Sequence, residues 1–247
     1  MHQSIIKKNN LLSLDENTHT YTLKNSNIEF SSVTEFISSF FKPFNAEKIA
    51  EKLIHLPKHK GKTVTSILKE WDSRRDRGTI VHKEIEDFIK ITNENNEAMT
   101  NKSINQLDLK SQQAIKFLKK CDIYKNNLIF PEVKVCAEKL KLAGTIDLMI
   151  YNKPNNTISL IDWKTNVAIK KESYRKGIKG PAMDINDCSF NRYTLQLSMY
   201  QFILETFYNA TINGLYILHL KNDSFNHIKC EFQNHHITNM LKYGSGN

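Results

Sequence analysis

The sequence predicts an α/β protein, a sheet flanked by helices, on three observations. Apolar spacing is helical over roughly the first half and becomes strand-like from about Leu128. The second half then reads strand–strand–strand–helix–strand–strand, an order that fits neither a bundle nor a sandwich. With 247 residues, of which 40% are apolar, the chain can bury a substantial core.

The elements follow in order. "HTYTLKNSNIEF" (His19 to Phe30) alternates on both sides of a polar centre and predicts a hairpin. "SVTE" (Ser32 to Glu35) is a capping-box pattern that opens a helix carrying Phe36, Ile37, Phe40 and Phe41, which Pro43 stops. A short helix follows over Ala46 to Ile54, and a long one from about Val64 to Ile91, with a break expected near Gly78. The polar stretch Thr92 to Ser103 reads as a loop and Gln106 to Cys121 as a helix. Strands are expected in "LIFPEVKVCAEKLKLAGTIDLMIY" and "TISLIDWKT". A strong helix over Asn191 to Tyr208 precedes two strands in "INGLYILHL" and "HIKCEFQ".

The net charge of +9 favours a polyanionic partner such as nucleic acid without identifying one. Cys121, Cys136, Cys188 and Cys230 are scattered, which points to reduced thiols rather than a zinc site. No apolar run approaches the roughly 20 residues of a membrane span, and the first residues lack a signal-peptide pattern. These features predict an intracellular, cytoplasmic protein.

Chemistry concentrates in "AGTIDLMIYNKPNNTISLIDWKT" (Ala143 to Thr165). Strand alternation puts Ile146, Leu148 and Ile150 on one face and Asp147 on the other. In the next strand Ile161 and Trp163 share one face, and Asp162 and Lys164 the opposite one. A turn centred between Pro154 and Asn155 places Asp147 across from Asp162. Carboxylates that close repel unless a cation lies between them, and an all-oxygen pair suits Mg²⁺ or Mn²⁺. Lys164 can orient or deprotonate a water, or stabilise charge on a phosphate. The plain alternative is two solvated acids with a salt-bridged lysine on an open face. The paired spacing, with the second acid fifteen residues after the first, is more specific than an isolated "IDWK".

These strings resemble the PD-(D/E)xK nuclease superfamily. "RGTIVHKEIE" (Arg77 to Glu86), "PEVKV" (Pro131 to Val135) and "QLSMY" (Gln196 to Tyr200) are similar to the histidine, first-strand and QxxxY motifs of its RecB-like branch. The N-terminal region resembles phage- and large-virus-encoded exonucleases and the mitochondrial genome maintenance exonuclease group. The resemblance implies a restriction-endonuclease-like core with a central mixed sheet over residues 105–247. Residues 1–104 would form a hairpin and helical region carrying the histidine motif.

It further implies a metal held by His82, Asp147, Asp162 and the Trp163 carbonyl, with Lys164 and Glu132 completing the catalytic set. Gln196 and Tyr200 would contact DNA and brace Lys164. The basic run before the histidine motif adds Arg74, Arg75 and Arg77 as candidate DNA contacts, and Thr165 follows Lys164. His82 also reads as a core histidine beside Ile85 and Ile89, Gln196 as a buried helix-to-sheet hydrogen bond, and Glu132 as a solvated acid. The branch members that carry an iron–sulfur cluster have one upstream cysteine and a tight group near the C-terminus. Here no cysteine precedes His82 and Cys230 stands alone, so no cluster is expected.

The expected activity is Mg²⁺- or Mn²⁺-dependent hydrolysis of DNA, as an exonuclease on single strands or ends. The alternatives are a flap or structure-specific endonuclease and a non-catalytic DNA-binding module. "KTNVAIKKESYRKGIKG" (Lys164 to Gly180), with six basic residues against one acid, is a candidate phosphate-binding strap. Residues Val167 to Ser189 are expected to act as a flap, with Tyr174, Phe190 and Tyr193 available to stack on bases.

Overall fold

The computed structural model describes residues 2–15, 18, 20–95, 101–120 and 123–245. Among them, six strands form one mixed sheet, in the order β3-β5-β6-β7-β8 with β4 also paired to β5. These strands are β3 (Ser31–Ser32), β4 (Asn127–Ala137), β5 (Leu142–Asn152), β6 (Thr157–Lys164), β7 (Ile212–Leu220) and β8 (Phe225–Cys230). β4, β5 and β6 run antiparallel in succession, β6 and β7 are parallel, and β8 returns antiparallel. The parallel step needs a crossover, which α7 (Ser189–Tyr208) supplies.

Helices cover both faces. On one side α1 (His2–Asn9), α2 (Val33–Ser38), α7 and α8 (Asn234–Ser245) bury Ile5, Ile37, Met199, Ile203 and Met240 against Met149, Leu160 and Ile217. On the other, α4 (Val64–Asn95) and α6 (Leu109–Lys120) bury Ile85, Phe88, Ile115 and Leu118 against Leu148, Ile161, Trp163 and Leu218. β6 shows why: its even residues Ile158 and Leu160 enter the first core, its odd residues Ile161 and Trp163 the second. Residues from the N-terminal region share the first core with the sheet.

Several local expectations are met. The Ser32–Glu35 capping box forms in both directions and opens α2. α3 (Ala46–Leu53) is capped by Asn45. The turn after β5 has the expected register, with Leu148 opposite Ile161 and Asn152 opposite Thr157.

Others differ. The N-terminal hairpin pairs β1 (Leu12–Asp15) with β2 (Thr20–Leu23); among the described residues a single bridge, Tyr21 to Phe30, closes around the predicted centre, and His19 lies outside them. Leu12 and Leu14 extend the alternation upstream, and Leu12 joins Tyr21, Leu23 and Phe30 in a small core of their own. α2 stops at Ser38, well before Pro43. α4 runs through Gly78 unbroken and on to Asn95, because tertiary packing outweighs the roughly 1 kcal/mol helix penalty of one glycine. The predicted loop over 92–103 is thus helical at its start and again in α5 (Asn101–Ile104), while 96–100 lie outside the described residues. α6 begins at Leu109, since Asp108 accepts from the Lys110 amide at 2.8 Å and caps it. Cys121, placed at the end of that helix, lies outside the described residues. Ile146 does not stay with Leu148 and Ile150: it packs in the first core with Val133 and Val135. α1 and α8 had no sequence signal strong enough to predict them. No described helix is long and apolar enough to cross a membrane.

Candidate metal-dependent active site

The site lies where the sheet forks. β5 pairs with β6 only from Leu148 onward, while its earlier residues Leu142 and Ala143 pair with β3. The next step of the β5–β6 register sets Asp147 opposite Asp162. Pro131 and Val133 lie opposite Leu148 and Ile146, which sets Glu132 opposite Asp147. Three carboxylates therefore stand side by side on adjacent strands at the fork.

Local chemistry holds each one. Beyond the fork the Trp163 amide loses its ladder partner, and it donates instead to Asp147 Oδ2 at 2.8 Å. Glu132 follows Pro131, which has no amide hydrogen, and takes φ +48 in the left-handed region. That conformation is strained by about 1–2 kcal/mol for a residue with a Cβ. It turns the Glu132 side chain toward α4, where His82 Nδ1 lies 3.8 Å from Glu132 Oε1 and 3.7 Å from Asp147 Oδ2. Lys164 Nζ sits 2.6 Å from Asp162 Oδ2 and 4.6 Å from the centre of the Tyr193 ring.

His82, Glu132 and Asp147 each offer a ligand atom within 4.8 Å of the others. Two of these spacings, 3.7 and 3.8 Å, are too long for hydrogen bonds. They match donors around a shared small cation, which lie roughly 3–4 Å apart when each bond is about 2.1 Å. One imidazole and two carboxylates are donors of the kind that can hold a divalent cation.

Titration behaviour reflects the crowding. Burial raises Asp147, with His82 and Lys164 opposing it. Burial also pushes Asp162 up to about 6, against the pull of Lys164 and with the charge of Asp147. For His82, burial opposes the charged form, but Asp147 and Glu132 outweigh it and push its pKa up to about 9. Burial likewise works against charge on Lys164, yet Asp162 and Asp147 hold it above its ordinary value. Lys164 is thus an ammonium at neutral pH.

The structure brings together His82, Glu132, Asp147, Asp162 and Lys164. It separates them into two sets, however: His82, Glu132 and Asp147 face one another, while Asp162 is engaged with Lys164. Trp163 contributes its amide to Asp147 and buries its indole in the second core, edge-on to Phe117.

Behind the site, Gln196 Nε2 donates to the Tyr200 hydroxyl at 3.4 Å. Tyr200 is buried, which raises its pKa well above the ordinary value. It packs on Gly144, where a Cβ would come within 2.7 Å of its ring and its hydroxyl. Tyr200 is 3% exposed and packs behind β5.

The remaining candidates border an open groove of about 750 Å³. It is lined by Arg74, Arg75, Arg77, Lys110, Lys170 and Lys221, with Thr165 and Trp71, and by no acid. Arg77 is already clamped, with Nε 2.6 Å from Asp108 Oδ2 and one terminal nitrogen donating to Asn222. Arg74 pairs with Glu70, and Arg75 with Asp72 at 3.0 Å. Thr165 lies against Gly78, where a Cβ would be 3.1 Å from its Oγ1, and its carbonyl accepts from Lys110 Nζ.

A second groove of about 990 Å³ runs along the other side of the strap after Lys164 and includes Tyr193, Tyr174 and Phe44. The strap is tied down: Lys170 bonds Ser189 and Phe190, Lys176 bridges Asn186, and Ile178 donates to the Phe40 carbonyl at 2.8 Å.

Sequence reasoning missed Lys110, Trp71, Phe44 and the contact of Tyr193 with Lys164. Trp71 was discoverable, since it, Arg74, Arg75, Gly78 and His82 recur every three or four residues along one stripe of α4. Comparison with protein-family models and with curated proteins finds no match for this chain.

Proposed function

We infer that the protein is a metal-dependent DNA nuclease of the PD-(D/E)xK type, RecB-like branch, acting as an exonuclease on DNA that is single-stranded or has a free end. The observation that carries this reading is the row Glu132–Asp147–Asp162 across the fork, with His82 on one side and Lys164 on the other. A salt-bridged solvated face, the plain alternative, would not bury Asp162 to 3% exposure or gather two acids against a histidine.

His82, Glu132 and Asp147 would hold the cation, with Asp162 and the Trp163 carbonyl completing its shell. Such a cation would supply Lewis acidity to offset charge on the scissile phosphate. Asp162 keeps Lys164 charged and fixed, and Lys164 offsets the charge that grows on the phosphate as water bonds to phosphorus. One P–O ester bond breaks, and the departing oxygen takes up a proton. Tyr193 under Lys164, and Tyr200 packed behind Asp147's strand, limit the freedom of these groups. The basic groove supplies phosphate contacts that do not depend on sequence.

Internally labelled linear and circular single-stranded DNA, each with Mg²⁺ or Mn²⁺, tests the reading. Shortened linear strands beside intact circles are expected, with EDTA, Asp162→Ala or Lys164→Ala abolishing products. Opened circles would make it an endonuclease. Retention of DNA without products under any metal, or normal turnover by either variant, overturns the hydrolase assignment.

A further inference from the structure

Phe44, exposed, and Trp71, half-buried, form an aromatic pair at the surface. Phe44 belongs to the linker between α2 and α3, and Trp71 to α4; their ring centres are 5.7 Å apart at a tilt of 52°. A pair serving only to pack these segments would be buried, yet Phe44 is 69% exposed.

Its position is informative. Trp71 lines the basic groove and Phe44 lines the second groove. Asn166, Ala168 and Lys170 of the strap line both. The two grooves therefore adjoin, with the aromatic pair and the strap bordering both. Tyr193, in the second groove, touches the ammonium of Lys164, so this track passes the site. Tyr174, fully exposed on the strap, adds another ring to the second groove.

The charge of the first groove fits a phosphate backbone, and exposed rings beside it fit the flat faces of bases. Bases in a duplex are already stacked on each other and offer no free face. We propose that Phe44 and Trp71 form a stacking step for an unpaired DNA strand, which runs from the basic groove past the step into the second groove beside Lys164. The proposal rests on the nuclease reading for what happens to the strand, while the step itself is a binding feature that can be measured without cleavage.

The chain has two tryptophans, and Trp163 is only 1% exposed, so a ligand on the surface reports through Trp71. The experiment follows tryptophan emission during titration with an oligothymidylate or a duplex of equal length, in EDTA. Saturable quenching by the single strand and little by the duplex is expected. Phe44→Ala should weaken single-strand binding about tenfold, the usual scale for losing one base stack. Phe44→Tyr should restore it. Because stacking is not ionic, Phe44→Ala should leave the salt dependence of the dissociation constant unchanged.

Equal quenching by duplex and single strand, or unchanged affinity in Phe44→Ala, overturns the step. Single-strand quenching by a protein that never cleaves would leave the step standing and remove the hydrolase. Cleavage by a protein whose emission does not respond would do the reverse.

Discussion

A single added methyl group at Gly144 probes how the site is braced. Gly144 lies on β5 three residues before Asp147, and a Cβ there would approach ring carbon Cε1 and the hydroxyl of Tyr200 to 2.7 Å. Ordinary contact between such atoms is about 3.5–4 Å, so the ring must move by roughly an ångström. Tyr200 is 3% exposed and packed among core residues, which leaves it little room to do so. Overpacking of this kind costs about 1–3 kcal/mol. In a chain of this size that corresponds to a fall in Tm of roughly 2–4 °C per kcal/mol.

Gly144→Ala should lower the urea midpoint accordingly and slow cleavage, since Tyr200 stands behind the strand that carries Asp147. Tyr200→Leu removes the opposing ring and should rescue part of the loss in the double variant, with a coupling of about 1 kcal/mol or more. Additive effects of the two substitutions, or a Gly144→Ala protein within about 0.5 kcal/mol of the parent, would refute this account of the packing.

Mg²⁺ or Mn²⁺ at a hundred times its dissociation constant should stabilise the fold by about 2.7 kcal/mol. A thermal shift that survives in His82→Ala/Glu132→Ala would place the cation elsewhere. Asp108 is drawn below its ordinary pKa: burial opposes this, but Arg77 and the Lys110 amide outweigh it. A depressed folded pKa means stability that is present above the unfolded value, near 3.9, and lost as pH falls through the folded one. Asp108→Asn should therefore be less stable than the parent by about 1 kcal/mol at pH 6, given the partial exposure of the pair, with the gap narrowing below pH 4. A gap independent of pH in acid urea titrations would contradict this. Ser32→Ala should cost about 1 kcal/mol by removing a bonded N-cap, read from the same denaturation curves, and Ser32→Gly only a few tenths; equal losses would contradict the cap.

Local patterns written within one segment could be read directly. The 15-residue interval between Asp147 and Asp162, with a polar turn at its midpoint, determines their register whatever surrounds it. The Ser32–Glu35 box is likewise self-contained. Assignments that depend on neighbours fared differently. Glu132 looked like an ordinary edge acid because nothing local announces its left-handed backbone, which arises where Pro131 and the fork in β5 coincide. Arg77 read as a free phosphate contact until Asp108 and Asn222, distant in sequence, arrived beside it.

The sequence alone determined that Asp162 and Lys164 share one strand face, because side chains alternate along a strand, and that the turn sets Asp147 across from Asp162. Only the tertiary structure decided which donors meet. It brought His82 across from a helix on the opposite side of the sheet, turned Glu132 toward it and tied Asp162 to Lys164. The reason is range: alternation acts between adjacent residues, whereas donor spacing depends on how whole layers pack.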